Sequence, residues 1–105
     1  MSKKLAVKYW NFTITVTDSE YEYSYDGVIE TLETDDVREQ VNNRFLKDFF
    51  GEETKFEDDY YQDEFGERIV RFSSAKEIPK AHFDILKQYM IYLQLDVSKE
   101  KVVMI

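Results

Sequence analysis

The chain has 105 residues, a formal net charge of −8 and no cysteine. That length suits one domain with one core, and the missing thiols exclude disulfides, thiolate metal sites and cysteine nucleophiles. Eight Tyr, eight Phe and one Trp against three Gly and one Pro supply enough buriable surface to argue against disorder despite the charge.

Along the chain, Met1-Ser2-Lys3-Lys4-Leu5 is basic but no apolar core region follows it, and no run approaches the roughly 18 apolar residues of a membrane span. An acidic body is also repelled by anionic lipid. A soluble, cytoplasmic protein is expected. Trp10, Phe12, Ile14 and Val16 alternate with Asn11, Thr13, Thr15 and Thr17, a strand period. Leu5, Val7 and Tyr9 fall on the other parity, which predicts a bulge or break near Tyr9-Trp10. Asp18-Ser19 reads as a turn, followed by Tyr21, Tyr23 and Tyr25 alternating with Glu20, Glu22, Ser24 and Asp26 up to Gly27. This is an N-terminal hairpin whose second strand is expected to bury its tyrosines and expose its acids.

Thr34-Asp35-Asp36 reads as a helix start with Thr34 as N-cap. Val37, Val41, Phe45, Leu46 and Phe49 follow at helical spacing, and Gly51 is placed as the stop. About Thr54 to Ser73 reads as a second hairpin with its turn at Gln62 to Gly66. Pro79 suits the first turn of a second helix. That helix has a stripe of His82, Ile85, Leu86, Tyr89 and Leu93, and its end is placed near Gln94 against competing alternation in Ile91, Leu93, Leu95 and Val97. Val102 to Ile105 reads as a last strand. The predicted order is β-β-α-β-β-α-β, a single α+β domain spanning residues 1–105, with an antiparallel sheet and both helices on one face.

Charge is distributed unevenly. Between Asp18 and Glu67 lie 18 of the 22 acidic residues and only four basic ones, a local balance of −14 against +6 for the flanks. The densest part runs from Glu52 to Glu67, where carboxylates alternate with Phe and Tyr. Such a surface favours a basic partner, and many basic protein surfaces exist to bind nucleic acid. Direct nucleic-acid binding is disfavoured, because phosphate affinity comes from Lys and Arg that are outnumbered here.

Catalytic and metal chemistry find little support. A Ser-His-Asp triad must use His82, the only histidine, which falls in the apolar stripe of the second helix and is expected to be structural. Asp58, Asp59, Asp63 and Glu64 are close together but do not fit the Ca²⁺-loop spacing, since Tyr60 and Tyr61 occupy ligand positions. Three scattered glycines build no phosphate loop. No cofactor, metal or enzymatic activity is expected.

The binding reading takes Glu52, Glu53, Glu57, Asp58, Asp59, Asp63 and Glu64, with Glu20, Glu22 and Asp26, as an array of negative charge for a partner protein. Tyr60, Tyr61 and Phe65 are set among them as anchors, since Tyr is enriched at binding hot spots. The competing reading makes the rings core and the acids a solvated face. In size, lack of cysteine, aromatic richness and the acids of Asp18–Glu39 and Glu52–Glu67, the chain resembles small phage-encoded inhibitors, the anti-CRISPR and anti-restriction proteins that look like nucleic-acid mimics. The resemblance is one of composition over about half the chain. It implies a stoichiometric inhibitor, in the host cytoplasm, that occupies the DNA- or RNA-binding groove of a basic nucleic-acid-binding protein such as a CRISPR effector. Two other readings stand beside it. One is an immunity-type or adaptor protein that binds a basic toxin or complex subunit; the other is a homodimer, rather than a monomer, paired through its tyrosine face.

Overall fold

The computed structural model describes residues 6–51, 55–57, 59–63 and 65–94, with the backbone alone at 55–57. Its frame is a hairpin of β1 (Val7–Asp18) and β2 (Tyr21–Leu32), in unbroken register from Val7↔Leu32 to Asp18↔Tyr21. The two-residue loop Ser19-Glu20 closes it, with Ser19 at φ 56°, as tight hairpin turns of the primed type require. The alternation in β1 sends Trp10, Phe12, Ile14 and Val16 to one face, where Phe12 and Ile14 are fully buried. The indole N–H of Trp10 donates to the buried Thr31 hydroxyl at 2.9 Å, so this polar pair enters the core satisfied.

That face is covered by α1 (Val37–Arg44) and a single 3-10 turn, Leu46–Asp48, which deliver the buried Val41 and Leu46 onto Phe12, Ile14, Val16, Ile29 and Val70. The N-cap is Asp36, whose carboxylate accepts from the Arg38 N–H at 2.9 Å, rather than Thr34. The helix also stops at Arg44, seven residues before the expected Gly51. Arg44 donates to the carbonyls of Glu30 and Gln94, anchoring the helix end to β2. Beyond it the chain tightens so that Leu46, Phe45 and Phe49 can reach the sheet.

The rest of the sheet is β3 (Lys55–Glu57), β4 (Tyr60–Gln62), β5 (Arg68–Ile78) and β6 (Ile91–Leu93), in the order β3-β4-β5-β1-β2-β6. With the short β3–β4 arm counted as one unit, the chain order is the predicted β-β-α-β-β-α-β, an α+β domain. The second-hairpin turn falls between β4 and β5, close to its predicted place. The sheet is mixed rather than antiparallel, because β6 runs parallel to Gly27–Ile29 of β2. The strand predicted at Val102 to Ile105 lies outside the described residues.

The helices lie on opposite faces, not one. α2 (Lys80–Leu86) places Phe83 against Tyr9, with ring centroids 4.8 Å apart, and against Tyr92 of β6 at 5.5 Å. This explains the parity change in β1, which has no break at Tyr9-Trp10. Tyr9 is apolar on the second face because that face is covered too. The irregularity lies further along, between Thr13 and Ile14, where β5 shifts register and Ser73 meets the Thr15 hydroxyl. The α2 stripe is rotated from its predicted position. Phe83 is the buried residue, while His82, Ile85 and Tyr89 are exposed. α2 ends at Leu86, and the alternation of Ile91 and Leu93 wins as β6. The Tyr92 hydroxyl donates to Glu30 at 2.6 Å, and burial together with that carboxylate pushes its pKa up to about 12. Among the described residues no helix is long and apolar enough to cross a membrane.

Candidate functional site

The covering layer is shorter than the hairpin beneath it. Tyr21, Tyr23 and Tyr25 pair with Asp18, Val16 and Ile14, so they share the face of the core, yet α1 and the 3-10 turn do not extend over them. They are 64%, 47% and 46% exposed. The expectation that they are core is therefore overturned. The rings of Tyr21 and Tyr23 stack with centroids 6.5 Å apart and planes 19° apart.

Where the covering layer ends, a groove of about 410 Å³ opens between Tyr23 and Tyr25 on one side and Phe49 and Phe50 on the other, floored by Val16. Phe49 stands edge-on to both Phe45 and Phe50, so its wall is rigid aromatic packing. Arg68 lies over the Phe50 ring at 5.0 Å, and Asp18 completes the rim. Of these groove residues, Phe49 is anticipated from sequence only as part of the first helix's apolar stripe, and neither Phe50 nor Arg68 is anticipated as a site residue. The available signal was a tyrosine ladder in a strand whose partner uses aliphatics, since an amphipathic ring suits a surface with one wet side.

The acids of β2 point the other way. Glu22 lies 3.8 Å from Arg71, and Asp26 accepts from the Thr13 hydroxyl at 2.7 Å. Both contacts are exposed and hold the side chains only weakly. One strand thus shows rings on one face and carboxylates on the other. Exposed Glu20 sits in the hairpin loop, and the Ser19 N–H donates to the Glu67 carbonyl at 3.4 Å. That contact brings the β4–β5 turn alongside, with Phe65 exposed to 77%. Glu20, Phe65 and the tyrosine ladder therefore occupy one end of the molecule.

The acidic run itself is divided. Asp59 pairs with Arg38 of α1. Tyr60 and Tyr61 are half-buried, Tyr61 packs on the core, and burial pushes its phenol pKa up. Glu52, Glu53, Asp58 and Glu64 lie outside the described residues, and Glu57 is described only by its backbone in β3.

Asp63 has a different job. It is buried, and its carboxylate accepts from the N–H groups of Glu67 and Arg68 at 2.9 and 3.2 Å and from the Arg68 guanidinium at 3.3 Å. Burial alone would push its pKa up, but these donors outweigh burial and hold it below the usual carboxylate value. A depressed folded-state pKa stabilises the fold above the unfolded value and loses that contribution as pH falls through the folded value. Asp63→Asn is expected to lower Tm at pH 7. The Tm difference from wild type should shrink on titration below about pH 4, near the ordinary carboxylate range, and thermal scans across that window check it.

Among the described residues no group of three or more His, Asp or Glu side chains converges as a metal site. The arrangement is equipped for contact chemistry: stacked phenols, an aromatic groove with a fixed cation, and a carboxylate face. No protein-family model matches the chain, and neither a curated protein nor a solved structure matches it.

Proposed function

We propose that this chain is a non-enzymatic acidic binding protein that inhibits a nucleic-acid-binding protein by occupying its basic groove, as an anti-CRISPR protein would occupy the groove of a CRISPR effector. One observation carries the reading. The outer half of β2 presents exposed tyrosines on one face and exposed carboxylates on the other, on a chain of net charge −8. On β2 the carboxylates of Glu22 and Asp26 share one face four residues apart, about 13 Å at the usual rise per residue, with Glu20 in the adjoining loop, an array that can engage separated cationic side chains arranged to hold phosphates. The charge steers the encounter and the rings hold the complex.

Affinity capture from a bacterial lysate, with and without nuclease treatment, tests the proposal. The expected partner is a nucleic-acid-binding protein, displaced by added DNA or RNA and released near 1 M salt, where the screening length falls to about 3 Å. A salt-resistant partner indifferent to nucleic acid would instead favour an immunity-type or adaptor protein, a reading to which the aromatic groove, rimmed by Arg68 and Asp18 of opposite sign, also lends itself. With the partner in hand, Glu20→Lys/Glu22→Lys/Asp26→Lys is expected to slow association about 10–100-fold at low salt while leaving Tm nearly unchanged. Asp63 is left out of this variant because its carboxylate holds the β4–β5 turn through the Glu67 and Arg68 N–H groups, so its reversal would lower Tm.

A further inference from the structure

Strand β2 is hydrogen-bonded to β1 along its whole length, but β6 covers its outer side only at Gly27–Ile29. Among the described residues, Tyr21–Asp26 therefore forms an open sheet edge, about 20 Å long at the usual rise per residue. Every second residue of such an edge turns its N–H and C=O outward, a ready template for another strand.

Proteins commonly blunt such edges. The outer side of β5 beyond Val70 is likewise unpaired by a strand among the described residues, yet β5 carries the bulge at Ser73 and the cations Arg71 and Lys76, devices that discourage pairing. β2 has neither. Its register with β1 is regular throughout, and its side chains are exposed on both faces from Tyr21 to Asp26.

We propose that the Tyr21–Asp26 edge of β2 accepts an extended segment of the partner protein as an added strand, one alternating basic with apolar residues. This deepens, and rests on, the reading that the partner is basic. Alternation follows from the geometry of the edge. Residues of an added strand that lie on the Glu22 and Asp26 face meet carboxylates, and those on the opposite face meet the tyrosine ladder and the groove beneath it. Backbone pairing supplies affinity and the two faces supply selectivity.

A second copy of this chain fits the edge poorly. Antiparallel self-pairing centred on Ser24 sets Glu22 of each copy against Asp26 of the other. Centring it on Tyr23 sets Glu20 against Asp26. Like charges directly opposite one another destabilise a strand pair, whereas lysine or arginine at those positions relieves the repulsion.

The test uses the full chain and three synthetic probes. The first is a ten-residue peptide alternating lysine with valine. The second is the same peptide N-methylated at alternate residues to remove one edge of donors, and the third is deca-lysine. Amide exchange by NMR, with affinity by titration calorimetry, gives the readouts. The expected result is binding of the first peptide with new protection confined to Tyr21–Asp26, and binding at least about tenfold weaker for the methylated one. Binding without protection at β2, or unaffected by methylation, overturns the added strand while leaving a basic partner intact. Binding by deca-lysine alone does the same. Failure of all three probes removes the basic-partner reading as well. Protection at Tyr21–Asp26 that rises with protein concentration in the absence of peptide overturns the proposed occupant in favour of a second copy.

Discussion

Shortening Phe12 to alanine is expected to lower the unfolding free energy by about 3–5 kcal/mol. Domains of this kind have only about 5–15 kcal/mol in total, so a large share would be lost. Phe12 is fully buried at the centre of the core cluster, and its ring lies over Gly27, its register partner on β2. A Cβ on Gly27 would sit 2.4 Å from the ring's Cζ and 2.9 Å from the Ile91 carbonyl oxygen of β6. Glycine is needed here for close approach. Gly27→Ala alone should cost about 1–3 kcal/mol by overpacking. In a Phe12→Leu background the ring atoms are gone and the methyl has room, so the cost of Gly27→Ala should fall, leaving the part owed to β6. Urea unfolding of the single and double variants closes the cycle. Strict additivity would mean that the ring, the glycine and the parallel β6 strand are not one packed unit.

This packing also shows which parts of the fold could be read from the chain. In β1, Trp10, Phe12, Ile14 and Val16 alternate with asparagine and threonine, and one apolar face fixes register strongly. The β1–β2 turn and the β4–β5 turn fell close to their predicted positions for the same reason. The faces of the helices were less legible. α2 carries apolar side chains on two sides, and only the presence of Tyr9 and Tyr92 on the sheet selects Phe83 over the stripe through His82, Ile85 and Tyr89. Tyr9 has the parity of a register break, because a strand covered on both faces at one end mimics a bulge in a one-face pattern. The direction of β6 was likewise illegible, since the alternation of Ile91 and Leu93 specifies a strand but not its neighbour.

The site was legible in part. Periodicity shows that Tyr21, Tyr23 and Tyr25 share a face, but their exposure depends on where a layer made by residues 37–50 stops. No local pattern in β2 records that distance. The run from Glu52 to Glu67 is continuous in sequence and discontinuous in role: Asp59 is paired to α1, Asp63 builds a turn, Tyr61 packs on the core and Phe65 faces solvent. Acid density flags a polar surface, whereas a buried carboxylate such as Asp63 is revealed only by the donors that converge on it.

The Tyr23→Ala/Tyr25→Ala variant separates these roles most sharply. Both rings are about half exposed and line the groove opposite Phe49 and Phe50. Aromatic hot spots at an interface centre cost about 2 kcal/mol or more each when truncated, which is roughly 30-fold apiece. The double variant is therefore expected to weaken partner binding by at least about 100-fold, with the loss in dissociation rate because short-range packing acts after encounter. The carboxylate reversals should act oppositely, slowing association and losing their effect at high salt. Tyr23→Phe/Tyr25→Phe keeps the rings and should retain most of the affinity. Surface interferometry at two salt concentrations measures both rates, and urea midpoints show whether the fold is spared. If the alanine variant dissociates as slowly as wild type, the tyrosine ladder is only a wet flank of the sheet, and binding rests on the carboxylate face.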